Sequence, residues 1–192
     1  IATARASSTM PGRAGEGSFP NPSGIVATVG TNGSEADNPF FQELGTNGRS
    51  CATCHRPAQA WTITPAELHD RFEHTDGLDA IFRANDGSNC QDADISTVAR
   101  RRRAFSLLLE KGLIRVGMDV PVGAEFAIVD VDDPYRCGAP LTSVSMYRRP
   151  LPTTNLKFLS AVMWDGRQSK PGFIRDGLIS QVVDAVTGHA QG

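Results

Sequence analysis

Five consecutive residues in the first third of the chain have the types and the spacing that covalent haem attachment requires. Cys51 and Cys54 are separated by two residues, and His55 follows directly. In this pattern each thiol adds across a vinyl group of the porphyrin, and the histidine supplies an axial imidazole to the iron. Only a short turn brings two sulfurs and a ring nitrogen to one macrocycle. The segment CATCH therefore predicts one covalently bound haem c.

Two other chemistries use a cysteine pair at this spacing, a redox-active dithiol and one half of a zinc site. Zinc needs a second ligand pair, and the other two cysteines, Cys90 and Cys137, are isolated from each other and from any CxxC. Both have polar, turn-rich neighbours, so we expect a disulfide between them; two free thiols are the alternative. Haem attachment and a disulfide both predict a periplasmic or secreted protein.

Length and charge restrict the classes of function. The chain has 192 residues and a formal net charge of −2, which suits one domain with its own core and argues against a nucleic-acid partner. No apolar run approaches the roughly 20 residues that a membrane span needs. Residues 1–24 are rich in Ser, Gly, Pro and Ala and do not begin with Met, as expected of a mature chain after removal of an export signal.

The hydrophobic pattern divides the chain into two parts. Residues 1–37 are interpreted as an extended N-terminal segment with little regular structure, and residues 38–192 as a c-type haem domain. The predicted fold class is mainly α, a cytochrome c-like haem domain with a small inserted β-hairpin and long loops. Within it the pattern predicts helices over 38–45, 65–73, 94–111 and 173–186, and two strands over 113–116 and 125–131.

Several further side chains have types that suit a haem environment. His69 and His74, on or just after the second predicted helix, are either a second haem ligand or ordinary surface residues. Methionine is also an axial ligand in some cytochromes but more often fills a core; the candidates are Met118, Met146 and Met163. Four consecutive cations, Arg100 to Arg103, form either a solvated helix face or a site for a haem propionate or an acidic redox partner.

Four sequence motifs together resemble a known family. SCATCHRPAQAW, and further along RRPLPTTN, MWDGR and GHAQ, are similar to the N-terminal haem half of the bacterial di-haem cytochrome c peroxidase and MauG superfamily. The resemblance covers about residues 38–191. In that family this domain carries the peroxidatic haem, and the tryptophan of WDGR lies between it and a second haem.

The resemblance implies roles for individual residues. Cys51 and Cys54 would be the attachment points and His55 the proximal iron ligand. Trp164 would relay electrons between the haems. Trp61 and Arg167 are assigned to the cofactor site, Arg167 either structurally or near a propionate.

The sequence also departs from that family. Family members carry two CxxCH motifs and this chain carries one, so the expected partner is a second haem domain absent from this chain, or a separate redox protein. The family's distal glutamine and acid fall on Gln181 and near Gln191. Because glutamine is no acid–base catalyst, peroxide chemistry either uses His189 instead or is lost. Alternatively, His189 binds the iron as a distal ligand. Pro150 offers only a carbonyl where the family has a calcium-binding Asn, which weakens the case for calcium.

Two functions from different classes follow. The first is a peroxidase-like oxidoreductase in which peroxide or oxygen meets the iron opposite His55 and electrons arrive through Trp164. The superfamily also includes haem enzymes that cleave polyisoprene, so a related oxygenase belongs to this class. The second is a mono-haem electron-transfer protein with both axial positions filled and no catalysis.

Overall fold

The computed structural model describes residues 17–21, 24–28, 37–138 and 140–190. Within these ranges there are five α-helices and four strands, and the strands form two antiparallel pairs, β1 with β2 and β3 with β4. The helices are α1 Cys51–Cys54, α2 Pro65–Thr75, α3 Val98–Ala104, α4 Ser106–Lys111 and α5 Ile174–Ala185, and the strands are β1 Gly17–Asn21, β2 Gly24–Thr28, β3 Ile114–Asp119 and β4 Ser143–Arg148.

The predicted mainly α, cytochrome c-like fold class is wrong. The structure is 34% helical and 14% strand, with short helices and two small sheets. Arginine side chains bond to backbone carbonyls at the ends of α2 and α4, where a longer helix would use those carbonyls itself. Arg101 Nε donates to the Asp76 carbonyl at 2.7 Å, and Arg149 Nη2 donates to the Lys111 carbonyl at 2.6 Å. Hydrophobic periodicity does not register bonds of this kind.

The helix predicted over 65–73 is confirmed as α2. The Thr64 hydroxyl accepts a hydrogen bond from the Glu67 amide at 3.4 Å, and Pro65 occupies the first turn, where its missing N–H costs nothing. Leu68 and Phe72 are fully buried on its inner face. The helix ends where Asp76 takes a left-handed conformation.

The single helix predicted over 94–111 is two helices, α3 and α4, separated at Phe105. The Asn89 side chain accounts for the break. Its Nδ2 donates to the Arg103 carbonyl at 3.2 Å, and its Oδ1 accepts from the Leu107 backbone amide at 3.1 Å. These bonds replace helical bonds at the junction. Phe105 is thereby turned into the core, where it is fully buried.

The first and last predicted helices, over 38–45 and 173–186, also differ from the structure. The helix predicted over 38–45 is only a 3₁₀ turn, Pro39–Phe41, capped by the Asn38 side chain at 3.0 Å from the Phe40 amide. The helix predicted over 173–186 is present as α5 and continues as a π-helical turn, Val186–Ala190.

The inserted hairpin exists but has a different second strand. β3 pairs with β4, in the register Ile114 opposite Arg148, and the prediction of a strand over 125–131 is wrong. Strand propensity depends on a half-buried position in a sheet. The side chains of β4 are all half-buried, whereas Phe126 and Val129 are 64% and 88% exposed.

The sequence did not predict the N-terminal hairpin of β1 and β2. These strands pair from Gly17 opposite Thr28 to Asn21 opposite Gly24. β1 packs near the 3₁₀ turn Pro57–Gln59, just after the CATCH segment. The rest of the predicted extended segment, residues 1–16, 22–23 and 29–36, lies outside the described residues.

The hydrophobic core lies between α2, the loop after it, α3 and α4. Three phenylalanine rings form its centre: Phe82 lies 5.3 Å from Phe72 and 5.3 Å from Phe105 between ring centroids. Gly77 has a φ of 72°, and a Cβ there would lie 2.5 Å from the Phe72 ring, so only glycine fits this turn. The other buried members are Ile63, Leu68, Ile81, Leu108 and Leu109, and Cys54 packs against this cluster.

The predicted disulfide between Cys90 and Cys137 is confirmed, with 5.3 Å between the Cα atoms. It ties the turn before α3 to the loop before β4 across 47 residues. In the described part of the chain, no helix is both long enough and apolar enough to cross a lipid bilayer.

We expect replacement of both cysteines, Cys90→Ser with Cys137→Ser, to lower the free energy of unfolding by about 2–4 kcal/mol, because the unfolded chain is no longer cross-linked. Urea unfolding of the variant and the unaltered protein measures the difference. The double variant must also lose the sensitivity of the midpoint to a reductant. A midpoint equal to that of the unaltered protein would show that this bridge does not form in solution.

Candidate haem-binding site

A single helical turn carries both candidate attachment thiols. α1 begins after Ser50, whose amide donates to the Thr53 hydroxyl at 3.0 Å, and it ends at His55, whose amide donates to the Cys51 carbonyl at 2.9 Å. Cys51 and Cys54 are both free and half-buried. The prediction that the CATCH residues form a short turn is thus confirmed, because one helical turn carries both thiols and His55 follows it directly.

The environment of the thiols does not suit a redox dithiol. Burial raises the pKa of Cys51 and raises that of Cys54 to about 11. Reactive CxxC pairs instead have a thiol whose pKa is lowered. Among the described residues, no group of three or more His, Cys, Asp or Glu side chains is placed to hold a metal ion.

The ring of His55 is held with one nitrogen engaged. Its Nδ1 lies 3.1 Å from the carbonyl oxygen of Trp61, and since a carbonyl only accepts, Nδ1 is the donor. That carbonyl is positioned by a tight loop in which Ala60 and Trp61 have φ values of 55° and 61°. A positive φ is rare for tryptophan, and such conformations persist only where the surrounding contacts hold them. The bond to Trp61 therefore engages Nδ1 and fixes the orientation of the ring.

The protonation state of His55 also suits a metal ligand. Burial lowers the pKa of its imidazole, and the charge of His189 lowers it further, against a raising effect of the hydrogen bond to Trp61. A neutral imidazole has the free lone pair that an iron or zinc ion requires. The lowered pKa therefore favours the neutral imidazole near neutral pH.

The N-terminal hairpin fixes the tryptophan that orients His55. The indole Nε1 of Trp61 donates to the Thr28 hydroxyl at 2.9 Å, and Phe40 packs edge-on against the indole at 5.5 Å between centroids. Phe40 also lies 6.3 Å from the His55 ring. Trp61 was assigned to the cofactor site from its motif, whereas Thr28 gave no signal in the sequence.

A charged network connects α1 to α2. Arg71 Nη1 donates to the Thr53 carbonyl at 2.9 Å, inside the CATCH segment. The same guanidinium forms an ion pair with Asp79 at 2.5 Å and another with Glu67 at 3.5 Å. Arg71 therefore couples the position of α2 and the following loop to the CATCH turn.

We expect Asp79→Asn to weaken the acid sensitivity of folding. Burial alone would raise the pKa of Asp79, but its hydrogen bonds from Arg71 and from the Ile81 amide lower it on balance. The stabilisation is present above the ordinary pKa of an aspartate and is lost as the pH falls through the lower folded-state pKa. Unfolding free energies from pH 2 to pH 7 should show a shallower acid limb in the variant and a loss of about 1–3 kcal/mol at pH 7.

Asp92→Asn is the control for this prediction, since it removes the same charge from an exposed position on the same loop. If both variants had the same acid limb, the Arg71 to Asp79 pair would make no special contribution.

His189 lies in a polar cluster that reaches the CATCH segment. Its Nδ1 is 2.6 Å from a carboxylate oxygen of Asp86, and Asp86 forms an ion pair with Arg49 at 2.7 Å. Both Arg49 and Asp86 are buried. Burial alone would raise the pKa of Asp86, but the hydrogen bond with His189 and the charge of Arg49 outweigh it and lower the pKa.

Sequence reasoning missed Arg49 and Asp86. Arg49 lies two residues before Cys51, and Asp86 belongs to the turn-forming segment 85–89. A buried charge pair has no periodic pattern, so only the proximity of Arg49 to the motif offered a signal.

Trp164, Arg167 and Gln181 are not brought to the CATCH segment. In the described part of the chain, none of the three forms a hydrogen bond or ring contact with residues 51–55. Trp164 is 59% exposed and stacks under Arg148, with 4.1 Å from the guanidinium carbon to the ring centroid. Arg167 pairs with Asp165 at 2.9 Å. Gln191 lies outside the described residues.

The remaining haem-ligand candidates have ordinary structural positions. His69 and His74 are exposed on α2, Met118 is 40% exposed, and Met146 accepts a contact from Arg148 at 2.9 Å. In the run of four arginines, Arg100 pairs with Asp94, Arg101 donates to two backbone carbonyls, and Arg102 pairs with Glu73. These arginines hold loops together.

The chain was compared with protein-family models, with curated proteins and with solved structures, and none of the three comparisons found a match. The geometry of the site is therefore the basis for assigning a class of function.

Proposed function

We propose that residues 51–55 bind one covalently attached haem and that the chain is a periplasmic or secreted c-type cytochrome. The observation that carries the proposal is the presentation of His55: its Nδ1 donates to the Trp61 carbonyl, which fixes the ring, on the same turn as two free thiols. A histidine ligand that donates its other N–H to a carbonyl is the usual arrangement at metal sites, because that bond fixes the ring and raises its basicity.

The donor set fits a haem better than a bare metal ion. Cys51, Cys54 and His55 supply two thiols and one imidazole on one turn, and a haem uses the thiols for covalent attachment and the imidazole as a single axial ligand. When bound, the haem supplies reversible one-electron chemistry and a site for peroxide or oxygen. The chain contributes the orientation of His55 through Trp61 and the position of α1 through Arg71.

The resemblance to the di-haem peroxidase and MauG superfamily is part of this proposal. It assigns peroxide or oxygen as the oxidant and Trp164 as the point of electron entry. Trp164 is exposed, and the Arg148 guanidinium covers one face of its indole. An aromatic ring at the surface suits electron transfer from another domain or protein, since no covering layer separates it from the donor.

Exposed apolar residues on α5 support a partner of that kind. Ile179, Val182 and Val183 lie three and four residues apart, on one face of the helix, and each is more than half exposed. Such a stripe usually covers an apolar surface. We propose that a second haem domain or a redox partner protein provides that surface.

The decisive experiment is a spectrum of the chain produced in the periplasm of a bacterium with a haem-attachment system. The proposal requires a red protein that keeps its haem in acid acetone. It also requires a high-spin ferric signal that changes on addition of peroxide, and oxidation of a reduced donor protein that slows in Trp164→Phe.

Other results would assign other functions. A purely low-spin haem that does not respond to peroxide would identify the mono-haem electron carrier instead. A colourless protein under the same conditions would overturn the haem proposal itself.

A further inference from the structure

The polar cluster around His189 has the composition of an acid–base site. A buried carboxylate, Asp86, lies 2.6 Å from Nδ1 of a histidine that is 37% exposed. Because a carboxylate only accepts, Nδ1 carries the proton of this bond, and Nε2 is the nitrogen that does not face the carboxylate. The same combination orients the general base in hydrolytic enzymes, where the carboxylate also stabilises the imidazolium that forms.

The carboxylate is itself fixed in place. Arg49 Nη1 donates to Asp86 at 2.8 Å, and its other nitrogens donate to the carbonyls of Ala80 and Ile81 at 2.8 and 2.7 Å. The guanidinium therefore has little freedom to rotate. Asp86 is only 4% exposed, so its charge acts on His189 with little screening by water.

The backbone of His189 is held by the same neighbourhood. The His189 carbonyl accepts from Asn47 Nδ2 at 2.7 Å and from Arg49 Nη1 at 3.1 Å, and the Gly188 carbonyl accepts from Asn85 Nδ2 at 3.3 Å. The His189 backbone is thus fixed to the segment that immediately precedes Cys51, and its ring is fixed to Asp86, which Arg49 of that segment holds. Arg49, which donates to the His189 carbonyl, lies two residues before Cys51, so the cluster adjoins the CATCH turn.

We propose that His189 is the proton-transfer residue of the haem site and that Asp86, held by Arg49, is its positioning residue. This inference rests on the proposed function. Nε2 takes the proton from one oxygen of hydrogen peroxide and returns it to the other, which leaves as water when the O–O bond breaks. One peroxide, two protons and two electrons give two waters; the electrons come one at a time from a reduced one-electron donor protein.

The test uses His189→Gln, which keeps the size and polarity of the side chain. We expect the rate of the spectral change on mixing with hydrogen peroxide to fall about 10²–10⁴-fold, the usual range for loss of a general acid–base group. The peracetate anion has already lost its proton and should react nearly as fast as with the unaltered protein. The ferric spin state should be unchanged, and His69→Gln, on the exposed face of α2, should react normally.

Asp86→Asn tests the positioning role, because it keeps the shape of the side chain while removing its charge. In the ferrous carbon monoxide form, which is diamagnetic, nitrogen NMR should show the His189 ring protonated at Nδ1 in the unaltered protein and shifted towards the other tautomer in the variant. The peroxide rate should fall about tenfold or more. Glutamate at this position, Asp86→Glu, should recover part of both signals.

Each other outcome overturns the inference. A change from low-spin to high-spin ferric haem in His189→Gln would show that His189 is the distal iron ligand. Equal loss of rate with peroxide and peracetate would show a purely structural role, and an unchanged rate would show none. Failure of the proposed function is visible separately, since the unaltered protein would then lack haem or not react with peroxide.

Discussion

Replacement of both CATCH cysteines, Cys51→Ser with Cys54→Ser, is expected to abolish covalent haem binding. Serine hydroxyls do not add to porphyrin vinyl groups, so no thioether bond forms. Haem staining after denaturing electrophoresis should detect no haem on the double variant, and any haem extracted in acid acetone should have both vinyl groups intact. The serines are close in size to the cysteines, so α1 and its bond from the His55 amide to the Cys51 carbonyl should persist.

The matched control removes the other two sulfurs instead. Cys90→Ser with Cys137→Ser should retain one covalent haem per folded chain, although that variant is less stable, because its disulfide lies outside the haem segment. His55→Ala should keep the thioether-bonded haem but lose its axial ligand, which is visible as a changed absorption spectrum. Haem that remains attached to the Cys51 and Cys54 variant would contradict the assignment of these residues.

Arg49→Met is expected to lower the free energy of unfolding by about 3–5 kcal/mol, the usual loss when one partner of a buried ion pair is removed. Arg49 is only 2% exposed and Asp86 4%, and the variant leaves the carboxylate buried without its cation. The carbonyls of Ala80 and Ile81 lose their donors in the same step. Chemical unfolding of the isolated protein, followed by circular dichroism, measures this free energy of unfolding.

Arg83→Met is the control, because Arg83 is half-buried and its guanidinium donates to the Asn47 carbonyl through two nitrogens. It should cost much less, about 1 kcal/mol. The double variant Arg49→Met with Asp86→Leu should recover part of the stability, since no charge is then left buried. A loss below about 1 kcal/mol in Arg49→Met would mean that water reaches the pair.

Local features of the fold were predictable where one residue decides them. The Thr64-Pro65 start of α2 and the pairing of Cys90 with Cys137 follow from residue chemistry that holds in any surroundings. The fold class was not predictable in this way. Asn89 interrupts a continuous helical pattern. β3 pairs with β4 and not with residues 125–131, which also have a strand pattern. Both outcomes depend on contacts between residues far apart in the sequence.

The candidate site shows the same division. The turn at CATCH was predictable because the spacing of five adjacent residues defines it, whereas its role in haem binding stays a prediction. The groups that support it, Thr28, Arg49 and Asp86, come from three separate parts of the chain and carry no local pattern. Long-range polar contacts of this kind are set by the packed structure and are visible only there.

The four cysteines can form alternative disulfide bonds when the newly folded chain is oxidised. Four thiols allow three complete pairings, and two of these consume both CATCH sulfurs in long-range bridges. The structure favours the bridge between Cys90 and Cys137. Burial raises the pKa of Cys51 and Cys54, which leaves little of the thiolate that attacks disulfides. Cys90 and Cys137 can therefore pair first, while the two motif thiols stay reduced for a slower reaction.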